Sequence, residues 1–529
     1  MSRSPLNLSR RTMMAALGLG AGAAGLAACG APNGGGGGSA DGSVRDGFSQ
    51  ADLTVPSEYE GRTPILFWAP FTGVNYEVLA KQFAAFNESQ DEIVAIAESV
   101  GGYADLNQKF TAALQARTVP DIVCFPEMQW LQFYNSDALA PLDSYFDDEW
   151  SLDVYIDNYV AEGKAAGETF VVPFARSTPL FYYNKTRYIE AGLPEEGPET
   201  WEDLAEFAPE LAKIEVEGRP LAALAVGADD AWHAQADIWG FGGANANEDF
   251  AVTINEDAGV EWLEWQRKFI HEDKFGYMAQ AAGTDFASGI TAGMRGSTAG
   301  LTGTTAATEG VFEVGTAFML SKEGQEKQVP TGGSGLSIVR SDSQDRQDAC
   351  AELFRFLAQP EKSAEWHAGT GYVPIVKAAA DTQAVKDLVA ENPNYGVALA
   401  QLENARTADY TNWDQGSVTE IGAAQAQVYG DGADPKKVLD ALAATLQETL
   451  DDNREDYEAV EFEGWNLASG PERVPVATAT GTRRPQGRPW RPAPGPPGPH
   501  DPSAHPAACT RRPPAARPAD HPTQENHPS

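Results

Sequence analysis

Apolar residues in this chain alternate between short continuous runs and helical stripes. Ile65-Leu66-Phe67-Trp68 is an apolar run of the length expected for a strand buried on both faces. Leu79, Phe83 and Phe86, spaced four and three, then fall on one face of a helix. Ile93-Val94-Ala95-Ile96 predicts a second strand, and Leu106, Phe110 and Leu114 a second helix. Pro120-Asp121-Ile122-Val123-Cys124-Phe125 predicts a third strand. Strand and helix alternating at this spacing predict an α/β fold, a parallel sheet with covering helices. Ligand sites in such sheets lie at the carboxyl ends of the strands. That rule gathers Trp68 to Thr72, Gly101-Gly102-Tyr103 and Phe125-Pro126-Glu127 around one opening.

A second α/β unit is predicted from Phe181-Tyr182-Tyr183-Asn184-Lys185 onward. Thr200-Trp201-Glu202-Asp203 has the form of a capping box for a helix carrying Leu204, Phe207 and Leu211. Trp262, Trp265 and Phe269 share a helix face suited to core packing, and Val438, Leu442, Leu446 and Leu450 mark an amphipathic helix near the end. Chain crossings between the two units are expected near 173–179 and 332–335, where Gly and Pro permit a hinge. The folded body is expected over 56–468, long enough for two lobes.

The flanking segments have other compositions. Ser9-Arg10-Arg11-Thr12-Met13-Met14 precedes an apolar Gly/Ala-rich stretch too short to span a bilayer, which predicts an export signal over 1–29. The arginine pair resembles a twin-arginine signal, and Leu26-Ala27-Ala28-Cys29 resembles a bacterial lipobox, which implies lipidation at Cys29. The alternative is an ordinary cleaved signal with a chance cysteine. Gly34-Gly35-Gly36-Gly37-Gly38-Ser39 predicts a flexible linker over 30–55 between anchor and body. The Pro- and Arg-rich segment 469–529 lacks the apolar periodicity of a core and is expected to be a disordered tail; binding to an anionic surface is its other reading. No second apolar run is long enough for a membrane span.

Charge narrows the function classes. With 38 Lys+Arg against 76 Asp+Glu, the net charge of −38 repels a phosphodiester backbone and argues against nucleic acid as a partner. Of four cysteines, Cys124 and Cys350 sit among apolar neighbours and read as buried free thiols. His233, His271 and His367 are isolated, so no metal-ligand spacing is present and no cofactor is expected.

Longer phrases resemble a known family. Val172-Pro173-Phe174-Ala175-Arg176-Ser177-Thr178-Pro179-Leu180-Phe181-Tyr182-Tyr183-Asn184-Lys185, followed by Ala191-Gly192-Leu193 and Thr200-Trp201-Glu202-Asp203-Leu204, resembles the family 1 solute-binding proteins of ABC importers. Phe356-Leu357-Ala358-Gln359-Pro360-Glu361-Lys362-Ser363-Ala364-Glu365-Trp366-His367 and Thr370-Gly371-Tyr372-Val373-Pro374-Ile375 are most similar to its glycerol-3-phosphate-binding branch. The resemblance implies a two-lobe periplasmic-binding-protein-like fold that closes on ligand and docks on a membrane permease. It also implies ligand-contacting roles for Tyr103, Glu127, Ser177, Trp201, Ser297, Gly333 and Tyr372, with Trp201 shielding one side of the ligand.

One departure concerns the phosphate. Where that branch carries an arginine, this chain has Gly422, in Gly416-Ser417-Val418-Thr419-Glu420-Ile421-Gly422. A forked guanidinium suits phosphate, and Arg176 is expected to supply a replacement cation. Alternatively the ligand is a neutral sugar or a glycerophosphodiester, with Asp229, Asp230 and Trp232 lining the pocket. Two other classes compete with a binding protein. A lipid-anchored glycoside hydrolase would pair Glu127 with Asp229 or Asp230. A surface adhesin would need repeats and all-β spacing, which the chain lacks. No Gly-x-Ser-x-Gly elbow, metal motif or His-paired nucleophile is visible, so an importer's binding protein with no chemistry of its own is the expected function.

Overall fold

The computed structural model describes residues 48–227 and 231–458. The expected export signal, Cys29, the glycine spacer, Asp229 and Asp230, and the tail over 469–529 lie outside the described residues.

Two five-stranded sheets organise the fold. In chain order the strands are β1 (Thr63–Ala69), β2 (Ile93–Ser99), β3 (Ile122–Pro126), β4 (Val172–Ser177), β5 (Pro179–Asn184), β6 (Leu224–Val226), β7 (Gly276–Met278), β8 (Gly293–Ser297), β9 (Val314–Ala317) and β10 (Gly332–Ile338). The first sheet has the order β2-β1-β3-β10-β4, and the second β7-β6-β8-β5-β9. The strands of the first sheet are buried runs because both faces are covered. Ile65, Phe67 and Ala69 of β1 enter one core, while Leu66 and Trp68 enter another on the opposite face. Helix α1 (Gly73–Ser89) covers the first face with Leu79, Phe83 and Phe86. Helix α2 (Tyr103–Ala116) covers the second with Leu106 and Phe110.

The parallel arrangement expected for the first three strands holds, and each sheet adds one reversed strand. β1 pairs in parallel with β2 and β3, but β10 is antiparallel to both β3 and β4. In the second sheet β6 is parallel to β7 and β8, while β5 is antiparallel to β8 and β9. The reversed strand in each sheet is the one that arrives from the other lobe. β4 runs towards the divide, only Thr178 separates it from β5, and the extended chain continues straight on. It must therefore run away from the divide in the second sheet, opposite to its neighbours. The same holds for β10 on the return.

Helix α3 (Trp201–Leu211) begins with the expected capping box, in which Thr200 Oγ1 accepts from the Asp203 N–H at 3.0 Å and Asp203 accepts from the Thr200 N–H at 3.0 Å. Helix α4 (Ala231–Gly240) packs its interior face into the second lobe, and helix α5 (Pro360–Thr370) covers the first. The C-terminal helix α6 (Pro435–Glu458) puts Val438, Leu442 and Leu446 into the second lobe's core and Leu450 and Tyr457 into a core of the first. One helix of about 36 Å thus belongs to both lobes.

The return crossing is sterically tight. Gly333 has φ +79°, and a β-carbon there would lie 1.9 Å from the Ala175 carbonyl oxygen. Gly333→Ala should lower the unfolding midpoint by several degrees, at a cost of about 2 kcal/mol or more. Differential scanning calorimetry of the variant checks this, and an unchanged midpoint would refute the steric account.

Candidate functional site

Loops at the carboxyl ends of β2 and β3 build one wall. Tyr103 stands in the first turn of α2, directly after Gly101-Gly102, and its hydroxyl donates to Ser334 Oγ at 3.0 Å. Ser334 Oγ lies 2.8 Å from Cys124 Sγ. Burial pushes the Cys124 thiol up to about 12, so it remains a neutral SH. Tyr372 is buried and stacks on Trp366 at 5.6 Å. Phe71 meets both tyrosine rings edge-on, at 6.5 and 6.0 Å. His367 holds this loop through Nδ1, 2.7 Å from the Tyr372 carbonyl. Burial lowers the His367 pKa to about 4, so the ring is neutral at pH 7 and the hydrogen it donates sits on Nδ1.

Glu127 follows β3 with φ +33°, and its N–H donates to the Gly333 carbonyl at 3.1 Å. Its side chain is partly buried. Burial pushes the carboxyl up to about 8; Arg176 opposes the rise and Glu162 adds to it. At neutral pH this carboxyl is mostly protonated and can donate as well as accept a hydrogen bond.

The expectation that Arg176 supplies a spare cation is corrected. Its guanidinium is buried in an ion pair with Glu162, and it lies over the Tyr159 ring at 4.6 Å. The other Glu162 oxygen accepts from the hydroxyls of Thr331 and, at 2.9 Å, Thr407. A buried charge that is already paired does not act as a free one.

The second wall meets the first at the crossings. Ser177 and Gly332 are paired across β4 and β10. A β-carbon on Gly332 would lie 2.2 Å from the Trp232 ring and 2.9 Å from Ser177 Oγ, so glycine is what lets these two side chains approach. Trp232, at the start of α4, donates from Nε1 to the Thr331 carbonyl at 2.9 Å. Ser297 ends β8 and caps a short turn, its Oγ accepting from the Ala299 N–H at 3.1 Å. The next residue, Thr298, donates from its N–H to the Thr178 carbonyl at 3.0 Å. It also lies against Gly371, where a β-carbon would be 2.3 Å from the Thr298 carbonyl oxygen.

Tyr103, Glu127, Ser177, Gly333, Tyr372 and Arg176 from one lobe are thus gathered with Trp232 and Ser297 from the other. Trp201 is not among them. It is fully buried in the second lobe's core, 4.9 Å from the Trp265 ring, because it opens α3 on that helix's interior face. The expected shield is a core residue, and the aromatic at the crossings is Trp232. Asp229 lies outside the described residues.

Arg406 escaped the sequence reading. It pairs with Pro330 beside the return crossing, its carbonyl accepts from the Thr331 N–H at 2.7 Å, and its guanidinium lies over Trp239 at 3.7 Å. Its Nε has no hydrogen-bond partner among the described residues. Gly422, by contrast, is buried inside the helix Gln415–Asp431. No periodicity or motif marks Arg406; only its strand pairing does. Glu162 was equally unmarked. Among the described residues no group of three or more His, Cys, Asp or Glu is placed to hold a metal ion, and no helix is long and apolar enough to cross a membrane.

Comparison with known proteins supplies an independent line. A family profile for bacterial extracellular solute-binding proteins matches residues 81–394. The sn-glycerol-3-phosphate-binding periplasmic protein UgpB of Escherichia coli (strain K12) is 25% identical over 383 residues, which cover 68% of this chain and 85% of that protein. UgpB from Mycobacterium tuberculosis, solved in complex with glycerophosphocholine, superimposes with a TM-score of 0.69 at 32% identity, over 74% of this chain and 99% of that one. The GacH receptor of Streptomyces glaucescens GLA.O matches with a TM-score of 0.66 at 19% identity, over 74% and 100%. At that identity the likeness speaks for the two-lobe α/β fold alone.

The raised Glu127 pKa has a measurable sign. The folded state holds a proton that the unfolded chain releases, so between about 4.5 and about 8 this residue makes stability fall as pH rises. In Glu127→Gln that contribution vanishes. From pH 5 to pH 8 the wild type should lose about 2 °C or more beyond any loss in the variant. Parallel melting profiles would show that the carboxyl titrates normally.

Proposed function

This chain belongs to the bacterial extracellular solute-binding proteins, and from that premise we propose that it captures a glycerophosphodiester for an ABC importer. Lobe closure would bury the ligand between the Tyr103/Glu127/Tyr372 wall and Trp232, and the loaded protein would dock on the permease subunits. The chain would be tethered outside the cell membrane through lipidated Cys29. The observation that carries the reading is the convergence of tyrosine hydroxyls, a protonatable carboxyl and an indole at the paired crossings. Hydroxyl groups of a glycerol moiety need such donors and acceptors, and an aromatic face suits its carbon skeleton. The likeness to a protein solved with glycerophosphocholine supports the same class.

A phosphodiester is favoured over a phosphomonoester because the nearest cation, Arg176, is already matched by Glu162. One negative charge needs less compensation than two. Arg406, also beside the crossing, has an Nε without a partner and no ion pair with a carboxylate among the described residues, which leaves it donor capacity for a phosphate oxygen. Hydrolysis of a glycoside with Glu162 as the second carboxylate is disfavoured on the same geometry, while Asp229 and Asp230 lie outside the described residues. The carboxylate whose charge Glu127 feels is Glu162, and both its oxygens are occupied by Arg176, Thr331 and Thr407.

Calorimetric titration with glycerophosphocholine, glycerol 3-phosphate and maltose tests the reading. Glycerophosphocholine should bind tightest and be recovered unchanged, and saturating ligand should raise the melting temperature. Trp232→Ala should weaken it at least about tenfold, the loss of about 1.4 kcal/mol. Binding of maltose alone would assign the site to sugars, and breakdown of the ligand during incubation would make the protein an enzyme.

A further inference from the structure

Glu162 sits where three passages of the chain beside the lobe divide come together. It lies in the first lobe, 2% exposed, and its backbone carbonyl is fixed by the Trp130 Nε1 donor at 2.9 Å. Its side chain takes three donors from three separate segments. Arg176 lies two residues before the outward crossing at Thr178, and Thr331 directly precedes the return crossing at Gly332. Thr407 follows Arg406 on the later segment that pairs with Pro330. The Thr331 carbonyl in turn receives the Trp232 indole. A continuous polar chain therefore runs from the ligand-facing wall of one lobe through Glu162 to the aromatic of the other. Capture of a ligand by the two walls does not in itself require a carboxylate at this position.

The charges along this chain nearly cancel. Arg176 is close enough to Glu127 for its charge to be felt there, yet its own partner is Glu162. The Arg176 Nε has no hydrogen-bond partner among the described residues, so the guanidinium retains a donor to offer if it is released. We propose that Glu162 is a positioning residue for charge selectivity: by holding and neutralising Arg176 it makes the cleft prefer ligands of at most one net negative charge over dianionic phosphomonoesters. The inference rests on the proposed capture of a glycerophosphodiester.

Its test is a ratio of affinities, which a merely structural role would leave alone. The full-length protein is titrated with glycerophosphocholine and with glycerol 3-phosphate at pH 7.5, where the latter is mostly a dianion. Glu162→Gln keeps the shape and removes the charge. It should raise the affinity for glycerol 3-phosphate relative to glycerophosphocholine about tenfold, the effect of one uncompensated cation near the site. The double variant E162Q/R176Q should return the ratio to within about twofold of wild type. A ratio unmoved in E162Q, or one that stays raised in the double variant, overturns the proposal. The wild-type protein gives a readout should the variants not fold. It should bind the monoanionic methyl ester of glycerol 3-phosphate about tenfold more tightly than glycerol 3-phosphate itself, and equal or weaker binding of the ester overturns the proposal. If the wild type binds none of these compounds, the proposed function falls and this inference with it. If it binds them without discrimination, only the role of Glu162 falls.

Discussion

The pairing of two extended segments that run in opposite directions between the lobes governs the rest of this structure. Ser177 opposite Gly332, and Arg176 opposite Gly333, form a short ladder at the place where the chain changes sheets. Because the ladder is extended, each sheet must accept one reversed strand. Because it is narrow, glycine is required where Trp232, Ser177 and the Ala175 carbonyl press against it. The site is assembled around this ladder rather than placed upon it. Glu127 hydrogen-bonds to Gly333, Tyr103 to Ser334, and Trp232 to Thr331, so these candidate site groups are held by the return crossing and the strand it leads into.

Much of the fold was legible because it follows from periodicity. The run Ile65 to Trp68 and the stripe Leu79, Phe83, Phe86 have one physical explanation each, and both lie where that explanation puts them. The reversed strands were not legible. Nothing in β5 or β10 as a string of residues distinguishes a parallel from an antiparallel neighbour; the direction follows from where the chain has just been. Part of the site was legible for a different reason. Tyr103 and Glu127 follow directly from strands whose carboxyl ends could be located. Trp201 misled because an aromatic at the start of a helix looks the same whether that turn faces a cleft or a core, and here it faces the core. Arg176 misled because its partner, Glu162, lies 14 residues away in a segment without any pattern. Charge in a sequence is a count of residues, whereas charge at a site is what remains after pairing.

The electrostatics of the crossings follow from burial. Removing one member of a buried pair such as Arg176–Glu162 typically costs about 3–5 kcal/mol, since the other is left uncompensated in a poorly solvated place. The second lobe has a comparable pair in Arg295 and Asp237, also buried. Among the described residues Glu127 has no such ion-pair partner of its own. It answers burial by keeping its proton, which turns a group of an acidic chain into a neutral hydrogen-bonding one. An overall charge of −38 thus coexists with a mostly neutral carboxyl at the candidate site.

The place of β10 between β3 and β4 in the first sheet has a consequence for the order in which the molecule is made. Cys124 and Ser334, neighbours across that sheet, are 210 residues apart in the chain. As the polypeptide emerges from the ribosome, the first sheet lacks β10 until every strand of the second sheet has been synthesised, and β3 and β4 present bare edges to each other in the meantime. Loop closure over such a span is slow. The sheet that is begun first is therefore completed last.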